Sequence, residues 1–436
     1  MAEKGIVYFK NTPRGAIEKN SDGAFEFSYS ESSESISLTL PPSKSSYISE
    51  DLFPFFDGLI PEGWLLNLAE KNWKIPKNDR MTLLLTTCQD CIGAAHILGS
   101  DSPPHQSKPH HQSLQQLKEP TFASKQCLIC MEALNSGDYL YHGHCAKNLF
   151  GFTHAPIIDI SVADMEELAL LQINQRLTLT GVQKKLSLSP IKEQKKERLT
   201  VVGLDGRFIL KPSTEEFPEM AEVEHLTMKI AEQIGMTVAP CGLVYLASGE
   251  KAYLTRRFDR VGKDKVPMED FCQLSEKPTS KKYIGSSESM GKVIDRFSSQ
   301  PADDKLTLFQ MILFSFWTGN ADMHLKNFSL WTEPSTQLIR MSPGYDFLST
   351  RLLIPQKEDK EELALPVNGK KNKLKWVDFL ALSSSLQIPP KVAERVRERM
   401  LDGFLDAEDL IEKSFLSEDK KEQFHNLISE RSKRLL

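Results

Sequence analysis

One nonapeptide restricts this chain more than any other segment: Gly319-Asn320-Ala321-Asp322-Met323-His324-Leu325-Lys326-Asn327, with Tyr345-Asp346-Phe347 downstream. The run before it, 308–317, is almost wholly apolar and predicts a buried helix that breaks at Thr318-Gly319-Asn320. A core helix therefore delivers a polar loop in which Asp322 and Asn327 are five residues apart. Phosphoryl transfer from a nucleotide needs such parts: a carboxylate to orient a hydroxyl and take its proton, and an amide and second carboxylate to hold Mg²⁺. The competing reading is an Asn/Asp-rich turn with a capping aspartate. The rest of the chain weighs against it.

The 436 residues suffice for two or three domains with a sizeable core. A formal net charge of -5 gives no global basic field, so a nucleic-acid role requires a local patch or a partner. No run approaches the length of a membrane helix, and the first residues lack the apolar core of a signal peptide, so a cytoplasmic, non-membrane protein is expected. Seven cysteines form no dense disulfide pattern.

Three regions follow. Residues 1–100 predict strands at 6–9, 25–29 and 35–40, the last from its period-two alternation, and a helix at 64–72. Residues 101–125 are rich in Ser, Pro, His and Gln and read as a flexible linker; His105, His110 and His111 fit a solvated tether better than a metal site. From 126 onward the pattern is mixed α and β, without internal repeats.

The third region opens on Cys127-Leu128-Ile129-Cys130, followed by Tyr141-His142-Gly143-His144-Cys145. Two cysteines separated by two residues present both thiolates to one ion, and His142 with Cys145 can close a tetrahedron around Zn²⁺. His144 competes with His142 for the third position, and ordinary reduced cysteines are the alternative to any metal. A knuckle at 126–150 would have little core of its own, and a four-ligand ion there would be structural.

Residues 177–188 predict a strand-loop-strand with Gly181 at the turn, a loop able to lay N–H groups over phosphates. Phe208-Ile209-Leu210-Lys211-Pro212 predicts a strand that can aim the Lys211 ammonium at phosphates. The helix at 219–235 buries Val223, Leu226, Ile230 and Ile234, which puts Glu224 beside the stripe, where it can pair with Lys211 or stay solvated. A hairpin turns at Ser248-Gly249, and Arg256-Arg257-Phe258-Asp259-Arg260 leaves its second strand. Helices are expected at 376–386 and 391–404; the lysines at 370–375 read as a solvated face.

Taken in order, these motifs resemble the HipA-family serine/threonine kinases, bacterial toxins of toxin–antitoxin modules. Phe56-Asp57-Gly58-Leu59-Ile60-Pro61-Glu62-Gly63 and Asp90-Cys91-Ile92-Gly93-Ala94 are similar to the family's N-terminal subdomain, and Thr180-Gly181-Val182-Gln183-Lys184-Lys185 to its phosphate loop. Arg257-Phe258-Asp259-Arg260 and Glu269-Asp270-Phe271-Cys272-Gln273 resemble its inter-lobe segments, and 319–329 with 345–349 its catalytic and metal motifs. The resemblance implies an α+β, bilobal protein-kinase-like fold with a small β-rich N-terminal subdomain, a kinase N-lobe at 151–258 and a C-lobe at 259–436. It implies Asp322 as catalytic base and Asn327 and Asp346 as Mg²⁺ ligands. Thr180, Gly181, Val182, Gln183, Lys211, Arg256, Phe258 and His324 would surround ATP, with backbone groups of Arg256 and Phe258 offered to adenine. It further implies an aminoacyl-tRNA synthetase as substrate and a HipB-like helix-turn-helix antitoxin that carries the toxin onto operator DNA. A weakly active kinase serving mainly as corepressor is the alternative.

Two departures stand out. Thr178 and Thr180 occupy the positions where the family's phosphate loop carries autophosphorylated serine, and threonine is stiffer at χ1. The linker at 101–125 makes the chain look like a fusion of a kinase with a small inhibitory protein that is separate in some relatives.

Overall fold

The computed structural model describes residues 3–30, 34–76, 79–99, 122–174, 179–193, 196–201 and 206–436. Thr178 and most of the expected linker, with its three histidines, lie outside them.

The N-terminal region is an antiparallel five-stranded sheet, order β4-β3-β2-β1-β5, formed by β1 Glu3–Phe9, β2 Thr12–Lys19, β3 Phe25–Tyr29, β4 Ser46–Ser49 and β5 Ala95–Gly99. Alternation does its usual work: Val7, Phe9, Ile17, Phe25 and Phe27 point to one face, where helices α1 Pro54–Asp57 and α3 Arg80–Thr87 cover them, while α2 Gly63–Trp73 buries Leu65, Leu68 and Ala69 in the core of the rest of the chain. The strand expected at 35–40 does not form. Ile36 and Leu40 are buried, but so is Ser37, while Leu38 is only partly buried, and the polar groups of the segment are spent elsewhere. The Leu38 N–H and Ser37 hydroxyl donate to Glu269 at 2.7 and 2.6 Å, and Tyr29 holds Ile36 and Leu40 through its hydroxyl. The edge of the sheet goes to Ser46–Ser49 instead.

A second antiparallel sheet, order β7-β6-β8-β10-β9, contains β6 Leu186–Glu193, β7 Lys196–Thr200, β8 Phe208–Pro212, β9 Cys241–Tyr245 and β10 Lys251–Arg256. The stretch before Leu186 that was expected to be strand is irregular at Leu179-Thr180. In chain order the next helices are α4 Gly143–Phe150, α5 Met165–Asn174 and α6 Met220–Gln233; α6 packs on β9 and β10. Gly235, with φ 84°, lets the chain turn at its end.

The remainder is mostly helical around Pro301–Thr318, a helix with apolar side chains on nearly every face: Leu308, Phe309, Leu313, Phe314, Phe316 and Trp317 are all buried. It stops at Gly319, whose φ of 72° is left-handed and whose position leaves no room for a Cβ, 2.7 Å from Leu427. The short strands Met268–Asp270, Ser329–Thr332 and Ile339–Met341 form a sheet beside it, and helices Trp376–Ser385 and Pro390–Asp402 follow close to expectation. Among the described residues no helix is long and apolar enough to cross a membrane.

The N-terminal region docks through buried polar contacts. Arg257 pairs with Asp259 at 2.8 Å, and Arg260 and Lys265 reach Asp90 at 2.9 and 2.6 Å. The Gly93 N–H donates to Asp259 at 2.9 Å. A Cβ on Gly93 would sit 2.8 Å from the Met268 carbonyl, so the close approach requires glycine.

Candidate active site

Strand β8 carries Lys211 into the seam between the second sheet and the helical region. Its ammonium donates to Glu224 on α6 and to Asp346, both at 2.6 Å. Lys211 is 5 % and Glu224 1 % exposed, so the pair is shielded from water. Burial opposes the ammonium charge, but Asp346 and Glu224 hold the Lys211 pKa above its ordinary value. Burial likewise opposes ionisation of Asp346, and Lys211 reverses that, keeping its carboxyl below the usual range. Asp346 itself sits at φ 55°, in the left-handed region, a strained conformation for a residue with a Cβ.

Asp322 and Asn327 follow the helix stop, as the spacing predicted. The Asp322 side chain is exposed and accepts from the Tyr283 hydroxyl at 2.6 Å. The Asn327 amide nitrogen donates to the Asp322 carbonyl at 2.9 Å, which fixes the amide so that its oxygen is the atom left for a ligand. Asn320 bridges the two motifs, donating to the Asp346 carbonyl at 3.4 Å and accepting from the Asp322 N–H at 3.1 Å. An amide oxygen and a carboxylate facing one cleft are hard donors that suit Mg²⁺.

Thr180, Gly181, Lys211, His324, Asn327 and Asp346 line this cleft together. Gly181 has φ 98°, a left-handed backbone that favours glycine at this turn. His324 is buried with an unpartnered Nδ1, its ring edge-on to Tyr283. Val182 and Gln183 do not line the cleft: Val182 is exposed and Gln183 contacts Met220. Arg256 is also off the lining; its side chain is exposed and its N–H donates to the Pro240 carbonyl at 2.8 Å, so that N–H is not free for adenine. Phe258 packs on Tyr345, which does line the cleft, at 5.8 Å between rings.

Several cleft residues escaped the sequence reading. Lys185 is buried, donates to the Thr180 carbonyl, and has its pKa pushed down to about 8 by burial. Glu62 enters from the N-terminal region. Burial would raise it, but Lys326 and Lys282 hold it at about 2; the Lys282 contact is 2.8 Å. Lys326 also donates to the Gly58 carbonyl at 3.2 Å, so the loop 58–62 forms one wall of the cleft. Lys185 stood in a motif already singled out, and its place directly before a strand was the available signal. Glu62 also stood in a quoted motif, but nothing local placed it in the cleft, and Tyr283 had no signal, because their neighbours come from distant sequence.

A second cluster lies outside the cleft. Cys127, Cys130, His142 and Cys145 bring their ligand atoms within 4.8 Å of one another. His142 is buried, whereas the competing His144 is exposed.

Comparison with known proteins gives a consistent picture. The profile of the HipA-like C-terminal domain matches residues 177–407, and that of the HipA N-terminal domain matches 5–98. A candidate kinase, Y4mE, of Sinorhizobium fredii is 29% identical over 352 residues, which cover 77% of this chain and 74% of that protein. The serine/threonine-protein kinase toxin HipA of Shewanella oneidensis is 29% identical over 174 residues, 35% of this chain and 39% of that one. The solved complex of Shewanella oneidensis HipA, HipB and operator DNA superposes with a TM-score of 0.70 at 18% identity, covering 99% of this chain and 97% of its counterpart.

Proposed function

The chain belongs to the HipA family, and on that premise we propose that it transfers the γ-phosphoryl group of ATP to a serine or threonine hydroxyl of a protein. The observation that carries this reading is the convergence of Lys211, Asn327 and Asp346 on one cleft, with Glu224 buried behind Lys211 and Asp322 tied to Asn327 through its carbonyl. Each residue then has a task. Lys211, held protonated and anchored by Glu224, orients the α- and β-phosphates. Asn327 and Asp346 would hold Mg²⁺, which when bound neutralises charge on the phosphates. Asp322 orients the acceptor hydroxyl and takes its proton as the new O–P bond forms and the bond to the β-phosphate oxygen breaks. Tyr283 presently occupies one Asp322 oxygen and fixes the carboxylate rotamer. Lys185, beside Thr180, adds positive charge where the phosphates would lie.

We take the biological role to be that of a toxin paired with a HipB-like helix-turn-helix antitoxin, through which alone it would meet operator DNA. The superposition on a HipA–HipB–DNA complex over nearly the whole chain supports that role at the level of fold. An aminoacyl-tRNA synthetase is the proposed substrate. Phosphate on Thr180, or on Thr178, would compete with the nucleotide for Lys185 and Lys211 and so lower activity.

The test is transfer of label from radiolabelled ATP with Mg²⁺ to a panel of aminoacyl-tRNA synthetases, followed by phosphopeptide mapping of both proteins. Label on a synthetase serine or threonine that disappears with Lys211→Met is expected. Equal labelling by the parent and by Lys211→Met would sink the reading.

A further inference from the structure

The cleft makes no use of the cysteine–histidine cluster, yet the cluster is organised as a ligand set. Cys127 and Cys130 sit on a tight turn in which the Met131 N–H donates to the Cys127 carbonyl at 2.9 Å, and Met131 takes φ 66°. A left-handed residue there costs energy for a side chain bearing a Cβ, and the turn it makes brings the two sulfurs onto one side. His142 occupies the N-cap position of α4 but makes no capping bond. Its Nε2 instead lies 3.0 Å from the Ala133 carbonyl, to which it donates. That bond fixes the tautomer and leaves the Nδ1 lone pair facing the sulfurs, 3.3 Å from Cys130 and 3.9 Å from Cys145. Bonds of about 2.0–2.3 Å to a tetrahedral ion would put its ligands about 3.5–3.8 Å apart, so these separations bracket the requirement. Ordinary core cysteines need neither a preset imidazole nor a shared focus; Cys241 and Cys272, both buried, belong to no such group among the described residues.

The knuckle is also tied to the helix that carries Glu224. The Leu243 N–H on edge strand β9 donates to the Leu128 carbonyl at 2.8 Å, and the Tyr141 hydroxyl donates to the Leu243 carbonyl at 3.0 Å. The Ile129 carbonyl, one residue before Cys130, accepts from His225 Nε2 at 2.9 Å. His225 is buried on α6, next to Glu224. Gly242 has no space for a Cβ, which would fall 2.6 Å from Ile129. The knuckle thus lies against the sheet edge and holds α6 at His225, the residue after the one that pairs with Lys211.

We propose that Cys127, Cys130, His142 and Cys145 bind one Zn²⁺, and that this ion fixes α6 and with it the position of Glu224. Three thiolates and an imidazole fill all four positions, so the ion is structural and takes no part in phosphoryl transfer.

The experiment uses the full chain, purified under reducing conditions without added metal, and no readout requires kinase activity. Elemental analysis should give about one zinc per chain. Cobalt in its place should show the absorption of a tetrahedral thiolate site, and Cys130→Ser should lose bound zinc by about tenfold or more. Hydrogen exchange with and without a strong chelator should show amides of Met220–Gln233 exchanging about tenfold faster without the metal, while β1–β3 stay protected. Folded, fully reduced protein with almost no zinc, or with iron in its place, would overturn the zinc site whether or not the variant folds. Zinc at full occupancy with unchanged exchange in α6 after its removal would overturn the clamp.

Discussion

Two of the ionic clusters among the described residues look alike in their pairing. One joins Arg257, Asp259, Arg260, Lys265 and Asp90 between the N-terminal region and the rest. The other joins Lys211, Glu224 and Asp346 at the cleft. In the first, both carboxylates are shut in and meet fixed cations, and the guanidiniums also donate to the carbonyls of Cys91 and Gly93. In the second, the Asp346 side chain is 38% exposed to the cleft. A closed cluster specifies docking, because its charges are satisfied only when two regions meet. A cluster open on one side keeps coordination capacity for something that is not protein. The lesson is that pairing alone does not distinguish a site from a fastener; a charged member left open to a cleft does.

That contrast can be broken experimentally. Asp322→Asn should slow phosphoryl transfer by about 10²–10⁴-fold, the range of a lost general base. Its urea midpoint should stay that of the parent, since Asp322 is exposed. A normal transfer rate in the folded variant removes Asp322 from the role of base.

Asp259→Ala should do the reverse. It leaves Arg257 and Arg260 buried without their shared anion, a loss of about 3–5 kcal/mol in urea unfolding. A stability loss below about 1 kcal/mol would show that the docking cluster is not a fastener.

Acid titration sharpens the same point. Burial would raise the Asp90 carboxyl, but Lys265 and Arg260 hold it at about 2 in the folded protein, against about 3.9 when unfolded. Its folded pKa is depressed, so its contribution is complete above about pH 4 and is lost as pH falls toward 2; a shift of that size is worth roughly 2–3 kcal/mol. The parent's stability should therefore decline over that window, and Asp90→Asn should flatten the decline. An identical acid slope in the two proteins excludes Asp90 as its source.

The smallest effect expected is that of Tyr283→Phe. It removes one exposed hydrogen bond to Asp322, so transfer should change by about three- to tenfold and stability by under about 1 kcal/mol. Loss of activity as deep as that of Asp322→Asn would place Tyr283 in the chemistry rather than beside it.

What the sequence by itself determined was local. The apolar run, the Gly319 stop and the Asp322–Asn327 spacing are set by helix geometry and one left-handed residue, and they survive folding unchanged. The same holds for Lys211 at the end of its strand and for Cys127 and Cys130 on one turn. The tertiary structure decided whatever depends on desolvation and distant partners. It buried the His142 ring and set it on the Ala133 carbonyl while leaving His144 exposed. It spent the polar groups of Ser37 and Leu38 on Glu269, so an alternating segment became a loop instead of a strand. It turned Glu224 toward Lys211 and brought Glu62 from the N-terminal region to Lys282 and Lys326. Residue spacing encodes backbone geometry within a few turns of chain, whereas the value of a buried charge is fixed only when another part of the chain arrives to pair it.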